Sequence, residues 1–335
     1  MEMNRRRALT VGAGAALAAG IASVAAASAG SDAVGAVDQR PSKGIDDETL
    51  ASRLDGDFHS HFAQVNGVRL HYVAGGRGEP LVLVPGWPAT WWSYHKVMPL
   101  LAQHYRVIVV DIRGMGASER PAGGYDKKTM ARDIYELVRS LGYRQVNIAG
   151  HDIGAMVAFS FAANHVAATR RLALLDVLHP DPTLYDLPML TKPGAGVHMW
   201  WWAFNQVKEL PGQLLQGRSR YLIDWHYGIG LRNQDNVTDA DRRVYTSWYD
   251  DPDAIRASNG WYQAVHEDIA DMTTYAKVTM PLLGLIAATS RPWFENTLPQ
   301  IATDIRGIIT VDKALHWLCE EDPELVSKSL IDFLA

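Results

Sequence analysis

The stretch Val146-Asn147-Ile148-Ala149-Gly150-His151-Asp152-Ile153-Gly154 decides the fold of this chain. A strand-like run is followed by a sharp turn and a helical pattern, with a glycine two residues before and two residues after Asp152. Glycines at these places let the backbone make the strained turn that presents one reactive side chain at the top of a sheet. The stretch therefore predicts a nucleophile at Asp152. Read alone, it also fits an aspartate that caps a helix at a glycine-rich turn.

The residue type at this turn sets the expected chemistry. A serine here would imply acyl transfer, whereas a carboxylate is a good displacement nucleophile at saturated carbon. The ester that it forms can be hydrolysed in a second step. The sequence therefore favours attack on a carbon such as that of an epoxide.

Two backbone N–H groups are expected to face Asp152. The segment Val84-Pro85-Gly86-Trp87-Pro88 directly follows a predicted strand, and Pro88 has no N–H, which leaves Trp87 as the donor. The other donor is Ile153, the residue after the nucleophile. Together they predict an oxyanion hole, in which one such donor contributes about 10²–10³ in rate.

A histidine and an acid complete the predicted triad. His316 follows the last predicted strand, so its loop returns over the carboxyl edge of the sheet, where it can activate water as a general base. The loop after the strand ending at Ala287 holds no carboxylate, but Asp176 ends an earlier strand on the same edge. We therefore expect Asp176 to orient His316.

Outside these motifs, short β-branched runs alternate with amphipathic stretches from residue 57 onward. This alternation predicts an α/β fold, with a mostly parallel sheet and helices on both faces. Helices are expected over Met130–Leu141 and from Ile153. The predicted strands are Val68–Val73, Leu81–Val84, Val107–Asp111, Val146–Ala149, Leu172–Asp176, Leu282–Ala287 and Gly307–Val311.

The alternation stops between Pro180 and about Thr274, where the chain is rich in Trp and Tyr. An insertion of this length between two strands predicts a helical cap domain over the carboxyl edge of the sheet. The predicted organisation is an export signal, a linker, the first part of the core, the cap and the second part of the core, over residues 1–29, 30–56, 57–180, 181–274 and 275–335.

The leader carries Arg5-Arg6-Arg7, a moderately apolar stretch and Ala27-Ser28-Ala29, which fits a cleavage site. The paired arginines favour a signal of the twin-arginine type, which exports folded proteins. The alternative is an Ala-rich disordered leader from an over-extended start codon, and the protein would then be cytoplasmic. Its Gly/Ala-rich composition does not favour a stable membrane anchor.

Composition limits the partners. The chain has 335 residues, a net charge of −5 and no long basic run, which favours a small molecule and water over nucleic acid. The single cysteine, Cys319, excludes an internal disulfide and is expected to be buried. His59 and His61 are expected on the surface, and no metal site or cofactor fingerprint is predicted.

These motifs resemble the epoxide hydrolase and haloalkane dehalogenase branch of the α/β-hydrolase family. The resemblance covers nearly all of residues 60–335 and includes residues 111–118 (DIRGMGAS), and His316 with the following EEDP at 320–323. It implies the α/β-hydrolase fold. Where the family usually has its acid the chain reads Ala-Thr-Ser at 288–290, but the family also includes members with the acid at the earlier strand, which supports Asp176.

The resemblance also implies roles within the cap. Residues 200–206 (WWWAFNQ) look like a W-H-F-A-F-N motif whose second residue, here Trp201, helps to hold the epoxide oxygen. Tyr262 matches the ring-opening tyrosine. An indole donates a hydrogen bond but does not titrate, so Tyr262 is expected to be the proton donor. Trp201 or Trp202 is expected to bind the substrate oxygen or a halide, although plain packing of the cap explains at least one of the tryptophans.

The predicted function is therefore epoxide hydrolysis, through an ester at Asp152, that converts a bulky aromatic molecule to a diol. The Trp/Trp/Tyr set resembles epoxide hydrolases of kinamycin- and fluostatin-type aromatic polyketide pathways, and so points to secondary metabolism. Dehalogenation by the same machinery is the alternative, although Ile153 and Met156 replace the arginines expected for fluoroacetate. A second alternative is a catalytically silent binder of hydrophobic ligands.

Overall fold

Eight strands form one mostly parallel sheet. A computed structural model describes residues 46–188, 190–192 and 198–335. The strand order is β1-β2-β4-β3-β5-β6-β7-β8; β2 pairs antiparallel with β1 and β4, and every other pair is parallel. The strands are β1 (His59–Val65), β2 (Val68–Gly75), β3 (Glu79–Val84), β4 (Tyr105–Val110), β5 (Val146–His151), β6 (Thr169–Leu175), β7 (Leu282–Ile286) and β8 (Ile305–Thr310).

Helices fill the connections between the strands. The step from β3 to β4 runs one way along the sheet, and the steps from β4 to β5 and onward run the other way. Right-handed crossovers in opposite directions put their helices on opposite faces of the sheet. The helices are α1 (Asp47–Ala51), α2 (Met98–Ala102), α3 (Lys127–Ser140), α4 (Ile153–Asn164), α5 (Trp200–Gln206), α6 (Leu210–Leu215), α7 (Ser219–Gly230), α8 (Asp239–Tyr249), α9 (Pro252–Gln263), α10 (Val265–Met272), α11 (Arg291–Ile301), α12 (Leu318–Glu321) and α13 (Pro323–Leu334).

The predicted α/β fold is confirmed, and all seven predicted strands are present with ends shifted by up to three residues. The first strand, β1, was not predicted. It lies at the edge of the sheet and pairs only with β2, and most of its side chains are exposed or half-buried. A strand with so little buried surface shows no run of apolar residues, and this is why the sequence pattern does not reveal it. His59 is exposed and His61 half-buried in this strand.

The short helix α1 lies inside the stretch predicted as a linker, residues 30–56. Leu50 and Ala51 are buried, and the Trp91 indole N–H donates to the Asp47 carboxylate over 2.7 Å. This end of the predicted linker is therefore folded onto the core. The predicted export signal, residues 1–29, lies outside the described residues. No helix in the described part of the chain is both long and apolar enough to span a membrane.

A helical insertion, α5 to α10, separates β6 from β7 and lies within the range predicted as a cap. Helix α9 is at its centre and packs against α5, α6 and α8. The assignment of core and cap domains stays a prediction. Cys319, on α12, is a free thiol and buried, as expected.

Candidate active site

The turn at Asp152 is strained and closely packed. Asp152 lies between the end of β5 and the start of α4, with φ 55° and ψ −125°. A non-glycine residue in such a region costs about 1–3 kcal/mol. A Cβ on Gly154 would lie 1.9 Å from the Val84 carbonyl oxygen, and one on Gly150 would lie 2.1 Å from the Gly154 carbonyl oxygen. Only glycines allow β3, β5 and α4 to meet this closely.

Backbone groups on both sides of the turn hydrogen-bond the Asp152 carboxylate. The N–H of Trp87 donates to Oδ1 over 2.9 Å, and the Ile153 backbone also hydrogen-bonds the carboxylate. Burial raises the pKa of Asp152 above its usual 3.8, and the His316 charge and these backbone donors oppose the rise. The two predicted oxyanion donors therefore face the carboxylate, while Oδ2 lies 3.8 Å from Nε2 of His316.

His316 is held from its other ring nitrogen by Asp176. Nδ1 donates to Oδ2 of Asp176 over 2.8 Å. Asp176 has φ 59°, and its Oδ1 accepts from the Ala287 N–H over 2.9 Å and from the Ser290 hydroxyl over 2.8 Å. The loop after β7, which lacks a carboxylate, thus supplies two donors that fix the carboxylate of its neighbouring strand.

The electrostatics of His316 favour its charged form. Burial lowers the pKa of His316, but the hydrogen bond and charge of Asp176, followed by the charge of Asp152, outweigh it and raise the pKa above 6.5. Next to it, burial holds the pKa of His151 well below its usual value. His151 is therefore neutral, and its Nε2–H donates to the His316 carbonyl over 2.7 Å. His151 is thus a positioning residue that the sequence did not predict, although it directly precedes Asp152.

A cavity that is partly open to solvent lies between the sheet edge and the helical insertion. Most of the predicted site residues share it. The predicted side chains that line it are Trp87, Asp152, Asp176, Trp201, Trp202, Tyr262 and His316.

The aromatic residues of α5 divide into lining and packing residues. Trp201 and Trp202 line the cavity, whereas Trp200 packs against Phe204 and Trp225, with ring centroids 5.4 and 5.2 Å apart. The Trp202 and Tyr262 rings meet edge to face at 5.2 Å.

Tyr262 faces the cavity from α9, opposite the turn at Asp152. Its ring lies 5.3 Å from that of Trp87. Burial, and then the charge of Asp152, raise the pKa of Tyr262 well above 10, while Asn205 and Trp201 oppose the rise. At neutral pH the phenol therefore carries its proton.

Two histidines that the sequence analysis did not select also line the cavity, His179 and His226. Burial lowers the pKa of each to about 3. They stand in no recognisable motif, and only the folding of separate segments brings them here. Among the described residues, no group of three or more His, Cys, Asp or Glu side chains is arranged to hold a metal ion.

Comparison with known proteins identifies relatives of this chain. The model of the α/β-hydrolase fold family matches residues 79–218. A soluble epoxide hydrolase from Corynebacterium sp. (strain C12) is 31% identical over 286 residues, which cover 82% of this chain and 96% of the relative. A fluoroacetate dehalogenase from Burkholderia sp is 29% identical over 213 residues, which cover 62% and 69%. The crystal structure of wild-type Cfl2 from Burkholderia cenocepacia superposes with a TM-score of 0.79 at 35% identity and covers 84% of this chain and 97% of that one.

Proposed function

The chain belongs to the α/β-hydrolase family and has an epoxide hydrolase among its relatives, and from this we propose that it hydrolyses an epoxide on a bulky aromatic molecule to a diol. One observation carries the proposal. The Asp152 carboxylate lines the cavity, with one oxygen bound by a backbone N–H and the other 3.8 Å from Nε2 of His316. That is the arrangement a carboxylate nucleophile needs if its own ester is then to be hydrolysed.

In the first step, Oδ2 of Asp152 attacks an epoxide carbon and the ring C–O bond breaks. The released oxygen takes the proton of the Tyr262 phenol, while an indole N–H of Trp201 or Trp202 donates a hydrogen bond to it. The products of this step are an ester at Asp152 and a tyrosinate. Because the negative charge of Asp152 is consumed, its effect on the pKa of Tyr262 is lost as the ester forms.

In the second step, His316 takes a proton from a water molecule as that water attacks the ester carbonyl. Negative charge develops on Oδ1, where the N–H groups of Trp87 and Ile153 stabilise it. Collapse of this intermediate breaks the bond to the substrate oxygen, which takes the proton from His316 and leaves as the diol. Asp152 is left protonated and returns its proton through solvent to the tyrosinate, so the net reaction is epoxide plus water to diol.

The lining of the cavity supports an aromatic substrate. Indole, phenol and imidazole rings surround the carboxylate, and such rings pack well against flat apolar molecules. With the Trp/Trp/Tyr set of residues 201, 202 and 262, this supports an intermediate of an aromatic polyketide pathway, and thus a place in secondary metabolism. Water is the only co-substrate that this chemistry needs, and the helical insertion α5 to α10 would act as a cap over the cavity.

The proposal is tested by trapping the ester. His316→Gln removes the base but leaves the nucleophile, so incubation with aromatic epoxides should add one substrate mass to the protein, at Asp152. The matched control, Asp152→Asn in the same background, should gain no mass. If no epoxide of the panel labels the single variant, the proposed chemistry is wrong.

Dehalogenation is the second candidate, because Trp201 and Trp202 both line the cavity and an indole N–H can bind halide. The dehalogenase relative supports the same possibility. Epoxide opening needs the phenolic proton of Tyr262, whereas halide release does not, and this favours the epoxide. Halide release by the wild-type enzyme from haloalkanes, with no diol formed from epoxides, would reverse the order of the two candidates.

A catalytically silent binder of hydrophobic ligands is the candidate outside enzymology. A binder has no need of a base held by Asp176 or of N–H groups aimed at Asp152, so the contacts above disfavour it. The trapping experiment separates the two, because a binder takes up the ligand without forming a covalent bond.

We also propose that residues 1–29 direct export. Expression in a bacterium with a twin-arginine pathway, followed by N-terminal sequencing, should find protein cleaved after Ala29 outside the cytoplasm. Uncleaved cytoplasmic protein would instead support the alternative that the leader is not functional.

A further inference from the structure

His226 is a cavity residue to which the mechanism above gives no role. It lies on α7, and its ring meets those of Trp87 and Trp201 edge to face, with centroids 4.6 and 5.0 Å apart. Trp87 is the residue whose N–H binds Asp152. His226 therefore contacts the side chain of the residue whose backbone N–H binds the proposed nucleophile.

The position of His226 is fixed relative to His316. The His316 N–H donates to the Gly230 carbonyl over 3.1 Å, at the end of α7. Residues four apart share one face of a helix, so His226 lies one turn from this contact on the same face. The helix thus fixes the position of the His226 ring relative to His316, the proposed base.

The ring has hydrogen-bonding capacity that the protein does not use. Nε2 of His226 is buried and has no hydrogen-bond partner among the described residues. Burial, and then the charge of His316, lower the pKa of His226 to about 3, so the ring is neutral at physiological pH and has one donor and one acceptor nitrogen. A buried polar atom without a partner is unfavourable, and a bound molecule that supplies one removes the penalty.

The charges around the cavity limit what that molecule can be. The described lining residues include three aspartates, at 152, 176 and 181, and neither lysine nor arginine. The three carboxylates would repel an anionic substrate, and the charge of His316 is already compensated by Asp176 and Asp152. Neutral hydroxyl or carbonyl groups satisfy an imidazole without this cost.

We infer that His226 is a substrate-binding residue, which hydrogen-bonds a hydroxyl or carbonyl group on an uncharged aromatic substrate. The inference deepens the proposed function, on which it rests for the aromatic epoxide. It makes His226 a determinant of specificity: the enzyme selects epoxides that carry a second polar group.

The test uses binding, so that it does not depend on turnover. Affinities of the full chain for chalcone, which has a carbonyl between its rings, and for trans-stilbene, which has none, are measured by tryptophan fluorescence quenching. His226→Phe keeps a ring but cannot form the hydrogen bond, and should weaken chalcone binding about tenfold, the effect of about 1.4 kcal/mol. Stilbene binding should change less than about twofold.

Two further variants control for structural damage. His226→Gln keeps a donor and an acceptor and should restore chalcone binding to within about threefold of the wild type. His104→Phe, at an exposed position away from the cavity, should change neither affinity. Equal weakening of both ligands by His226→Phe, unchanged chalcone binding, or no binding of either ligand to the wild type would overturn the inference.

The binding experiment and the ester-trapping experiment test different claims, and either claim can be refuted without the other. A selective loss of chalcone affinity without an ester in His316→Gln would leave the binding role of His226 standing and refute the epoxide chemistry. An ester in His316→Gln, together with equal weakening of both ligands by His226→Phe, would support the epoxide chemistry and refute the binding role of His226.

Discussion

Asp152 and Asp176 both have a left-handed backbone, with φ 55° and 59°, and each is held by donors from other parts of the chain. Trp87 fixes the first, and Ala287 with Ser290 fixes the second. Strain of this kind persists only where surrounding contacts determine it. At the residue scale, therefore, the site is a pair of strained carboxylates placed on either side of His316.

Tyr262→Phe should slow formation of the ester by at least about 10², the usual contribution of a positioned acid. The phenol keeps its proton at neutral pH because burial and the charge of Asp152 raise its pKa. The rate is measured in single turnovers in the His316→Gln background. Tyr221→Phe, at an exposed position, is the control and should leave the rate unchanged. A Tyr262→Phe rate within about threefold of its parent would refute the role of the phenol.

The pH profile should depend on Asp176. His316 must be neutral to activate water, and Asp176 raises its pKa, so the rate of ester hydrolysis should fall as the pH drops through that pKa. Asp176→Asn removes the hydrogen bond and charge that raise this pKa, leaving burial to lower it. The acid limb of kcat should then move to lower pH, and the maximal rate should fall by about 10⁴ through loss of the correct tautomer. An acid limb at an unchanged pH would contradict the pairing of Asp176 with His316.

Helix α7 contacts the loop that carries His316, the proposed base. Its last residue, Gly230, accepts a hydrogen bond from His316, and a Cβ there would lie 2.6 Å from the Trp317 indole nitrogen and 3.6 Å from the His316 Cβ. Gly228, two residues earlier, has no atom within 4 Å of such a Cβ. The helix can therefore accommodate a side chain at position 228 but not at position 230 without displacing its neighbours.

Gly230→Ala should displace the loop of His316, with a loss of about 1–3 kcal/mol in the free energy of unfolding from overpacking. It should also lower kcat. Gly228→Ala is the matched control and should stabilise the protein by about 0.5–1 kcal/mol, because alanine favours the helix. Urea denaturation and kcat measure both effects. Similar behaviour of the two variants would show that the contact with Trp317 and His316 is unimportant.

The elements were predictable where the sequence pattern and burial agree. The glycines around Asp152 reflect close packing at the turn, and the apolar runs of β3 to β8 reflect burial in the sheet. The sequence therefore predicted both the turn and these strands. Strand β1 is half-exposed, so its sequence lacks a run of apolar residues and did not predict it. His226 was missed because its surroundings come from α5, α7 and the turn after β3, and nothing in its own segment marks it.

At the scale of the whole molecule, buried polar contacts join the helical insertion to the sheet and its flanking elements. The Lys127 ammonium lies 2.7 Å from Oδ2 of Asp268, and the Lys127 backbone N–H donates to Oδ1 over 2.7 Å. The Trp92 indole donates to Asp241 over 2.8 Å. These contacts hold the insertion over Asp152, and the sequence did not predict them because the partners are more than 100 residues apart.

Asp268→Asn should lower the free energy of unfolding by about 3–5 kcal/mol, because it leaves the buried Lys127 charge without its partner. Asp271→Asn, on the same helix, breaks only the exposed 3.3 Å pair with Lys128 and should cost less than about 1 kcal/mol. Urea denaturation compares the two variants. Equal losses would show that the buried pair does not fasten the insertion.

Nucleophilic attack by the Asp152 carboxylate is tested most directly by one turnover in H₂¹⁸O with enzyme in excess over epoxide. Because the oxygen added to the substrate comes from Asp152 and water then attacks the ester, the first diol should contain no ¹⁸O. The label should instead appear on Asp152 in the peptide mass spectrum. A diol fully labelled in this first turnover, with Asp152 unlabelled, would mean that water attacks the epoxide directly and that Asp152 is not the nucleophile.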